Sequence, residues 1–304
     1  MKYELIIVRY GEIALKGKTT RRHFENCLIS NIKNALKREQ IAHRIKKEWG
    51  RIYVYTTQIY KSVDVLRKIF GIVTFSPTLQ TQSDIDSMSN LAFKISKDVL
   101  TEEKTFAIRV TRTGNHKYSS QDVAIKLGND LVKTTKASVN LTKPDFKLFV
   151  EIRDESAYIF TEKIRGTGGL PLGTQGKLLA LIDDSDSILA AWYLMHRGCK
   201  IIFANINKSS EETLNSFIIN WYAESDVIMI NPKQPSFYAN LDKIATERNC
   251  DAVVTGHTLC EDSQSELSNI KNMKKYIKLP IVHPLIAKKK ESIKKKCKEI
   301  GITT

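Results

Sequence analysis

Residues 178–198, LLALIDDSDSILAAWYLMHRG, constrain the fold more than any other stretch of the chain. Five apolar residues run without a break, an acidic turn follows, and a largely apolar helix-forming segment comes next. A strand that is apolar at every position needs cover on both faces, and a parallel sheet obtains that cover from helices. The same grammar returns downstream. Strands are expected at 200–205, 227–230 and 252–255, and helices at about 187–197, 211–222, 238–248 and 291–300. Residues 177–304 therefore read as a doubly wound α/β domain with a parallel sheet.

The N-terminal half follows another pattern. A strand is expected at 3–9. Phe24, Leu28, Ile32 and Leu36 recur every four residues, which predicts an amphipathic helix over 21–38. A strand at 52–56 and a helix at 63–70 complete a small α+β unit of ferredoxin-like kind. The rhythm restarts near residue 71. A strand is expected at 72–78, a helix at 84–99 capped by Ser83 or Asp84, and a strand at 106–112. A helix at 119–133, with Ser119 or Ser120 near its cap, precedes a hairpin of 147–153 and 158–161. Gly166, Gly168, Gly169, Gly173 and Gly176, with Pro171, then break the pattern and mark a linker or binding loop. The expected organisation is α+β and α/β multidomain: 1–58, 59–165, a linker at 166–176, and 177–304.

Charge narrows the choice of partner. The chain carries a net charge of +15. Residues 1–50 alone hold 12 Lys and Arg against 5 Asp and Glu, and 288–298 hold seven lysines. A field of that sign favours nucleic acid first. A membrane surface is the weaker fit, because no basic stretch carries an aromatic insertion face. No run of 18 apolar residues occurs and the N-terminus lacks a cleavable signal pattern, so a cytoplasmic protein is expected. Cys27, Cys199, Cys250, Cys260 and Cys297 are scattered, with no C-x-x-C pair. They predict free thiols, with neither a zinc site nor a disulfide framework.

Ligands of open α/β sheets bind beyond the carboxyl ends of the strands. Two such ends are expected to converge here: 182–187 after the first strand of the domain, and Thr255-Gly256-His257 after the fourth. Backbone N–H groups at a helix start attract phosphate. Asp186 and Ser187 at that start serve equally well as a simple cap. Asp183 and Asp184 oppose a phosphate ligand by charge.

The opening YGEIALKGKTTRRHF…NIKNALK, the middle FGIVTFSP and the join TEKIRGTGGLPLGTQGK resemble the tRNA 4-thiouridine synthetase family, also called thiamine-biosynthesis sulfurtransferases. The resemblance runs nearly end to end and is most specific over 10–36 and 158–177. It implies a ferredoxin-like domain, a THUMP RNA-binding domain and a Rossmann-like PP-loop domain of the HUP type. It further implies ATP with magnesium as cofactors, and tRNA and a persulfide sulfur-donor protein as partners. A homodimer and tRNA uridine 4-sulfurtransferase activity are also implied. In that reaction ATP adenylates a uracil carbonyl oxygen and a persulfide sulfur displaces AMP. The implied RNA contacts are Arg9, Lys16, Lys18, Arg21 and Arg22 in the first domain. Arg109, Arg112, Lys117 and Arg153 are the counterparts in the second, with His116 and Tyr118 as stacking candidates.

The family's S-G-G-x-D-S loop falls on Ile182-Asp183-Asp184-Ser185-Asp186-Ser187, keeping only Asp186 and Ser187. Its T-G-E-S-L-G-Q…S-Q segment reads Thr255-Gly256-His257-Thr258-Leu259-Cys260-Glu261, then Ser263-Gln264. Its P-L-I-G-x-D-K pattern ends on Lys290. Asp186 and Lys290 thus inherit the catalytic roles, while Asp183, Asp184, Ser185, Ser187, Thr255, Gly256 and His257 inherit the nucleotide site. The segment 205–251 is short, without the family's paired arginines, and the chain stops at Thr304 ahead of the family's sulfur-handling cysteine. These departures predict a tRNA-binding family member with an impaired nucleotide loop. The alternatives are an active sulfurtransferase fed by an external donor and a non-catalytic scaffold for another tRNA-modifying enzyme.

Overall fold

A computed structural model describes residues 3–234, 236–259 and 264–302, with the side chains of 264 and 265 left aside. In chain order the elements are β1 (Leu5–Arg9), α1 (Lys18–Arg38), β2 (Arg44–Glu48), β3 (Arg51–Tyr55), α2 (Ile59–Leu66), β4 (Thr74–Gln82), α3 (Ile85–Ser96) and β5 (Thr105–Thr113). There follow α4 (Ser120–Thr135), β6 (Ser138–Val139), β7 (Phe146–Arg153), β8 (Ser156–Phe160) and β9 (Ile164–Arg165). The C-terminal part holds β10 (Lys177–Ile182), α5 (Ser185–His196), β11 (Lys200–Asn205), α6 (Glu211–Asn220), β12 (Val227–Met229) and α7 (Phe237–Glu247). It ends with β13 (Ala252–Val254), α8 (Gln264–Tyr276), β14 (Ile281–Val282) and α9 (Lys290–Glu299).

The chain divides into two compact units. The first comprises 1–9, 36–67 and 73–165, and carries one sheet of order β2-β3-β1-β4-β8-β7-β5-β6, with β9 added beside β4. Strand β4 joins its halves, pairing β1 over Thr74–Thr78 and β8 over Leu79–Gln82. Pro77, which lacks an N–H, falls next to that handover, where the ladder changes partner. Asp84 caps α3 by accepting from Ser87 N at 2.7 Å, and Ser119 forms a capping box with Asp122 at the start of α4. Helix α2 begins four residues ahead of the expected 63–70, because Ile59, Val63 and Leu66 supply its buried stripe.

The second unit comprises 10–35, 68–72 and 166–304. Its sheet is wholly parallel, of order β12-β11-β10-β13-β14. The alternation along β10 divides the core. Leu178, Ala180 and Ile182 pack with α5, Leu214 and Phe217 of α6, and Ile293 and Cys297 of α9. Leu179 and Leu181 pack with Leu241 and Ala245 of α7 and Met273 of α8. Both faces are covered, as the continuous apolar runs require. The glycine-rich segment is fitted closely to its neighbours: a Cβ on Gly169, whose φ is +71°, would lie 2.1 Å from the His196 carbonyl oxygen.

From β10 the chain moves outward through β11 to β12, then returns to place β13 on the other side of β10. That reversal opens a crevice at the carboxyl ends of β10 and β13, the switch point where doubly wound sheets bind ligands. No helix among the described residues is long and apolar enough to cross a membrane.

Candidate functional site

Ile182 ends β10, and the next residues fold into a tight turn that starts α5. Asp184 is the N-cap, and its Oδ1 accepts from Ser187 N at 2.9 Å. The Ser187 hydroxyl accepts from the backbone N–H groups of Asp183 and Asp184, each at 3.1 Å, and donates to the Asp184 carbonyl at 2.6 Å. The loop therefore satisfies with its own side chains three backbone donors, those of residues 183, 184 and 187, at the place where helix starts receive phosphate. Ser187 is buried, 1% exposed, as this role demands.

The loop faces a cleft of about 380 Å³ that combines acidic and apolar walls. Asp183, Asp184, Asp186, Thr255, Gly256, His257 and Lys290 all line it. Of the expected nucleotide-site residues, Ser185 and Ser187 stand apart from this cleft, Ser187 lying beneath the loop. Ser185 lines a second, smaller hollow beside the same loop, with Asn207, Ser209 and Thr213. Asp183 and Asp184 keep exposed edges, yet the protein crowds Asp183, and that desolvation together with the adjacent Asp184 charge raises its pKa. Asp186, in the first turn of α5, is 7% exposed, and the Lys290 ammonium at the start of α9 contacts its carboxylate. Gly256 allows the loop after β13 to touch the loop after β10: a Cβ there would lie 2.7 Å from both N and Cα of Ser187.

Further residues complete the cleft without having stood out in the sequence. Glu266 on α8 holds His257 Nδ1 at 2.8 Å, and Met273 Sδ lies 3.3 Å from His257 Nε2. His283 Nδ1 meets the Thr255 hydroxyl at 2.6 Å, and burial, then the neighbouring His257, lowers its pKa. Phe237, Tyr238 and Ile206 supply the apolar side. Glu266 and His283 are separated from the loop by long stretches of sequence, and only the helix positions of α8 could have pointed to the first. Cys260, Glu261 and Ser263 lie outside the described residues.

The fit to ATP divides at the phosphates. Phe237, Tyr238, Ile206 and Met273 offer an apolar bed of the kind a purine requires. The loop offers occupied N–H groups and two carboxylates where a triphosphate needs bare main chain. Among the described residues no group of His, Cys, Asp and Glu is arranged to hold a metal ion.

The expected RNA contacts are spread over both units. In the second, Lys18 and Arg22 are exposed on α1, Arg21 is half-buried, and Lys16 lies 5.0 Å over the Phe24 ring. In the first, Arg109, Arg112 and Lys117 are exposed. Arg112 donates to the Gly114 carbonyl at 3.1 Å and approaches His116 Nδ1 at 3.2 Å. The His116 and Tyr118 rings lie 5.2 Å apart, tilted by 32°. Two of the expected contacts turn inward instead. Arg9 is 9% exposed and binds Glu151 at 3.1 Å, and Arg153 meets the same carboxylate at 3.4 Å and donates to the Trp49 carbonyl. With Arg51 at 2.6 Å, three guanidinium groups converge on Glu151. An arginine on a strand buried on both faces must find its counterion inside.

Three family descriptions match the chain: ThiI ferredoxin-like domain over residues 5–76, THUMP domain over 82–162, and Thiamine biosynthesis protein (ThiI) over 218–304. A probable tRNA sulfurtransferase from Methanobrevibacter smithii is 30% identical, across 99% of this chain and 87% of that protein. One of the same description from Methanothermobacter thermautotrophicus is 32% identical, across 99% and 85%. Among solved structures, PH1313 from Pyrococcus horikoshii superposes with a TM-score of 0.84 at 30% identity, covering 98% of this chain and 99% of that one. A 4-thiouridine synthetase solved as an RNA complex with bound ATP gives 0.86 at 28% identity, covering 99% and 86%.

Proposed function

The chain belongs to the ThiI family of tRNA sulfurtransferases, and from that premise we propose that it binds tRNA and that its own nucleotide loop limits ATP-dependent thiolation. Basic residues of the ferredoxin-like and THUMP parts, Lys16, Lys18, Arg21, Arg22, Arg109, Arg112 and Lys117, neutralise phosphates of the RNA. Their binding weakens steeply with salt as counterions are released. His116 and Tyr118 offer ring faces for an unpaired base.

The observation that carries the limitation is the self-capped loop. Ser187 Oγ and Asp184 Oδ1 occupy the N–H groups of residues 183, 184 and 187, and the Asp183 and Asp184 carboxylates face the cleft. A phosphate chain entering there displaces those acceptors and meets like charge. Magnesium held by Asp183 and Asp184 would offset the repulsion by neutralising charge on both carboxylates and phosphate. Under this reading the protein works in the cytoplasm on tRNA, as a homodimer, and any sulfur reaches it from a separate persulfide donor.

One observation favours the second reading, an active sulfurtransferase. Asp186 and Lys290 meet inside the cleft, which supports the catalytic roles that the family resemblance implies for them. Incubation of the full chain with tRNA, ATP, magnesium and a persulfide donor separates the readings. Unchanged tRNA with tight, salt-sensitive binding supports the proposal. Appearance of 4-thiouridine absorbance that Asp186→Ala abolishes overturns it.

A further inference from the structure

Trp49 stands at the tip of the β2–β3 hairpin and is 66% exposed, whereas Trp192 and Trp221 are 5% and 9% exposed. An indole is a large apolar ring, and folding gains stability from burying it. Here the ring stays in water. Among the described residues no other large apolar side chain on β2, β3 or their turn is exposed. The surroundings of the ring are cationic. Residues 44–51 hold Arg44, Lys46, Lys47 and Arg51 against the single carboxylate of Glu48. That carboxylate is taken up by Lys46 at 2.8 Å and by the Tyr53 hydroxyl at 2.9 Å.

The turn is anchored from below. Gly50 adopts φ +74°, which closes the two-residue turn between Glu48 and Arg51. Arg153 donates to the Trp49 carbonyl, and Arg51 donates to the Gly50 carbonyl at 2.7 Å. The same two guanidinium groups hold the buried Glu151 carboxylate, at 3.4 and 2.6 Å. Water satisfies the carbonyls of an ordinary surface turn without any buried charge. Tying these two carbonyls to a buried ion cluster gives the tip a fixed position, and a ring held in place loses little freedom on binding.

A surface that docks another protein or a lipid bilayer brings several exposed apolar side chains together. One ring among cations fits a polyanion that carries flat apolar units. Single-stranded RNA is such a partner: its phosphates meet lysine and arginine while a base lies against the indole. We propose that Trp49 stacks on an unpaired base of the bound tRNA. The inference rests on the tRNA-binding reading. It adds an aromatic contact on a hairpin that supplies none of the basic residues assigned to RNA above.

The test compares the full chain with Trp49→Ala and Trp49→Phe, using a tRNA transcript free of modified bases. Circular dichroism and the urea midpoint confirm the fold of each variant. Binding is followed by fluorescence anisotropy of labelled tRNA over a range of KCl concentrations, and separately by indole emission. We expect tRNA to quench the wild-type emission and to shield it from acrylamide, because Trp49 is the exposed indole of the three. Trp49→Ala should bind about tenfold more weakly, the loss of one stacked base, and Trp49→Phe should recover most of that loss. The slope of log affinity against log salt should stay unchanged in both, because no charge is removed. Wild-type affinity in Trp49→Ala overturns this inference alone, even where tRNA shields the ring. A shallower salt slope in Trp49→Ala overturns it too, since the substitution then acts by displacing the neighbouring cations. Wild-type protein that does not bind tRNA overturns the parent reading with it. Indole emission that shifts with phosphatidylserine vesicles, with tRNA binding indifferent to both substitutions, replaces RNA by a membrane as the partner.

Discussion

Replacing Asp183 and Asp184 together by glycine tests the loop most directly. In the wild-type chain each carboxylate would stand near a bound phosphate. A pair of like charges about 4 Å apart costs about 1 kcal/mol in a water-like dielectric and about 4 kcal/mol at an effective dielectric near 20. The two carboxylates keep exposed edges, so the lower end applies to each. Removing both lifts about 2 kcal/mol or more and frees Ser187 N, now held at 2.9 Å by Asp184. The lost cap costs only a few tenths of a kcal/mol with glycine in its place. With about 1.4 kcal/mol per decade, ATP should bind at least tenfold tighter to the double variant. Isothermal titration calorimetry at fixed magnesium reads this directly. Equal affinity in the two proteins refutes the electrostatic argument. Weaker binding in the variant refutes it more strongly, because it makes the carboxylates ligands of a phosphate-bridging metal.

Glu151→Gln should destabilise the N-terminal unit by about 3 kcal/mol in urea unfolding, because it leaves the nearly buried Arg9 and Arg153 guanidinium groups, and the half-buried Arg51, without their carboxylate. Burial alone would raise the Glu151 pKa, but Arg51 and Arg9 hold it below its ordinary value. Its contribution is therefore complete above the unfolded value of about 4.3 and fades as pH falls through the lowered folded value, a loss the glutamine variant should lack. Lys290→Met should lower stability by about 1 kcal/mol, discounted for the half-exposed lysine, because Asp186 stays nearly buried without it; an unchanged urea midpoint contradicts this. Burial, then Asp186 and Asp184, pushes the Cys297 thiol up to about 11. At pH 8 about 0.1% of it is thiolate, so iodoacetamide should leave Cys297 unmodified in native protein and alkylate it after unfolding, as peptide mapping would show.

The C-terminal sheet was legible because its strands carry unbroken apolar runs between polar ends, a pattern with few alternatives. Helix α1 was legible through its four-residue repeat. Strand β2, RIKKE, was not: it lies at the sheet edge, where both faces tolerate lysine and the hydrophobic signal vanishes. Helix α8 is mostly polar and is anchored by Met273, with Ile277 just beyond its end, too few positions to reveal a period. The loop and the Asp186–Lys290 pair could be placed from motif register alone. The inward turn of Arg9 could not, because LIIVR reads as a strand with a charged end, and only its pairing on both sides shows that the end is interior. The His257–Glu266 contact depends on how α8 lies against the sheet, which no local pattern encodes.

The contact between Gly256 and Ser187 bears on any attempt to transplant a relative's loop into this chain. The two turns fit as a lock and its ward, with no room for even a methyl group between them. A donor loop whose main chain follows a different path would collide with the turn after β13 unless that turn came with it. Residues 182–187 and 255–257 are thus one transferable cassette, and chimeras that exchange either half alone should misfit at the seam.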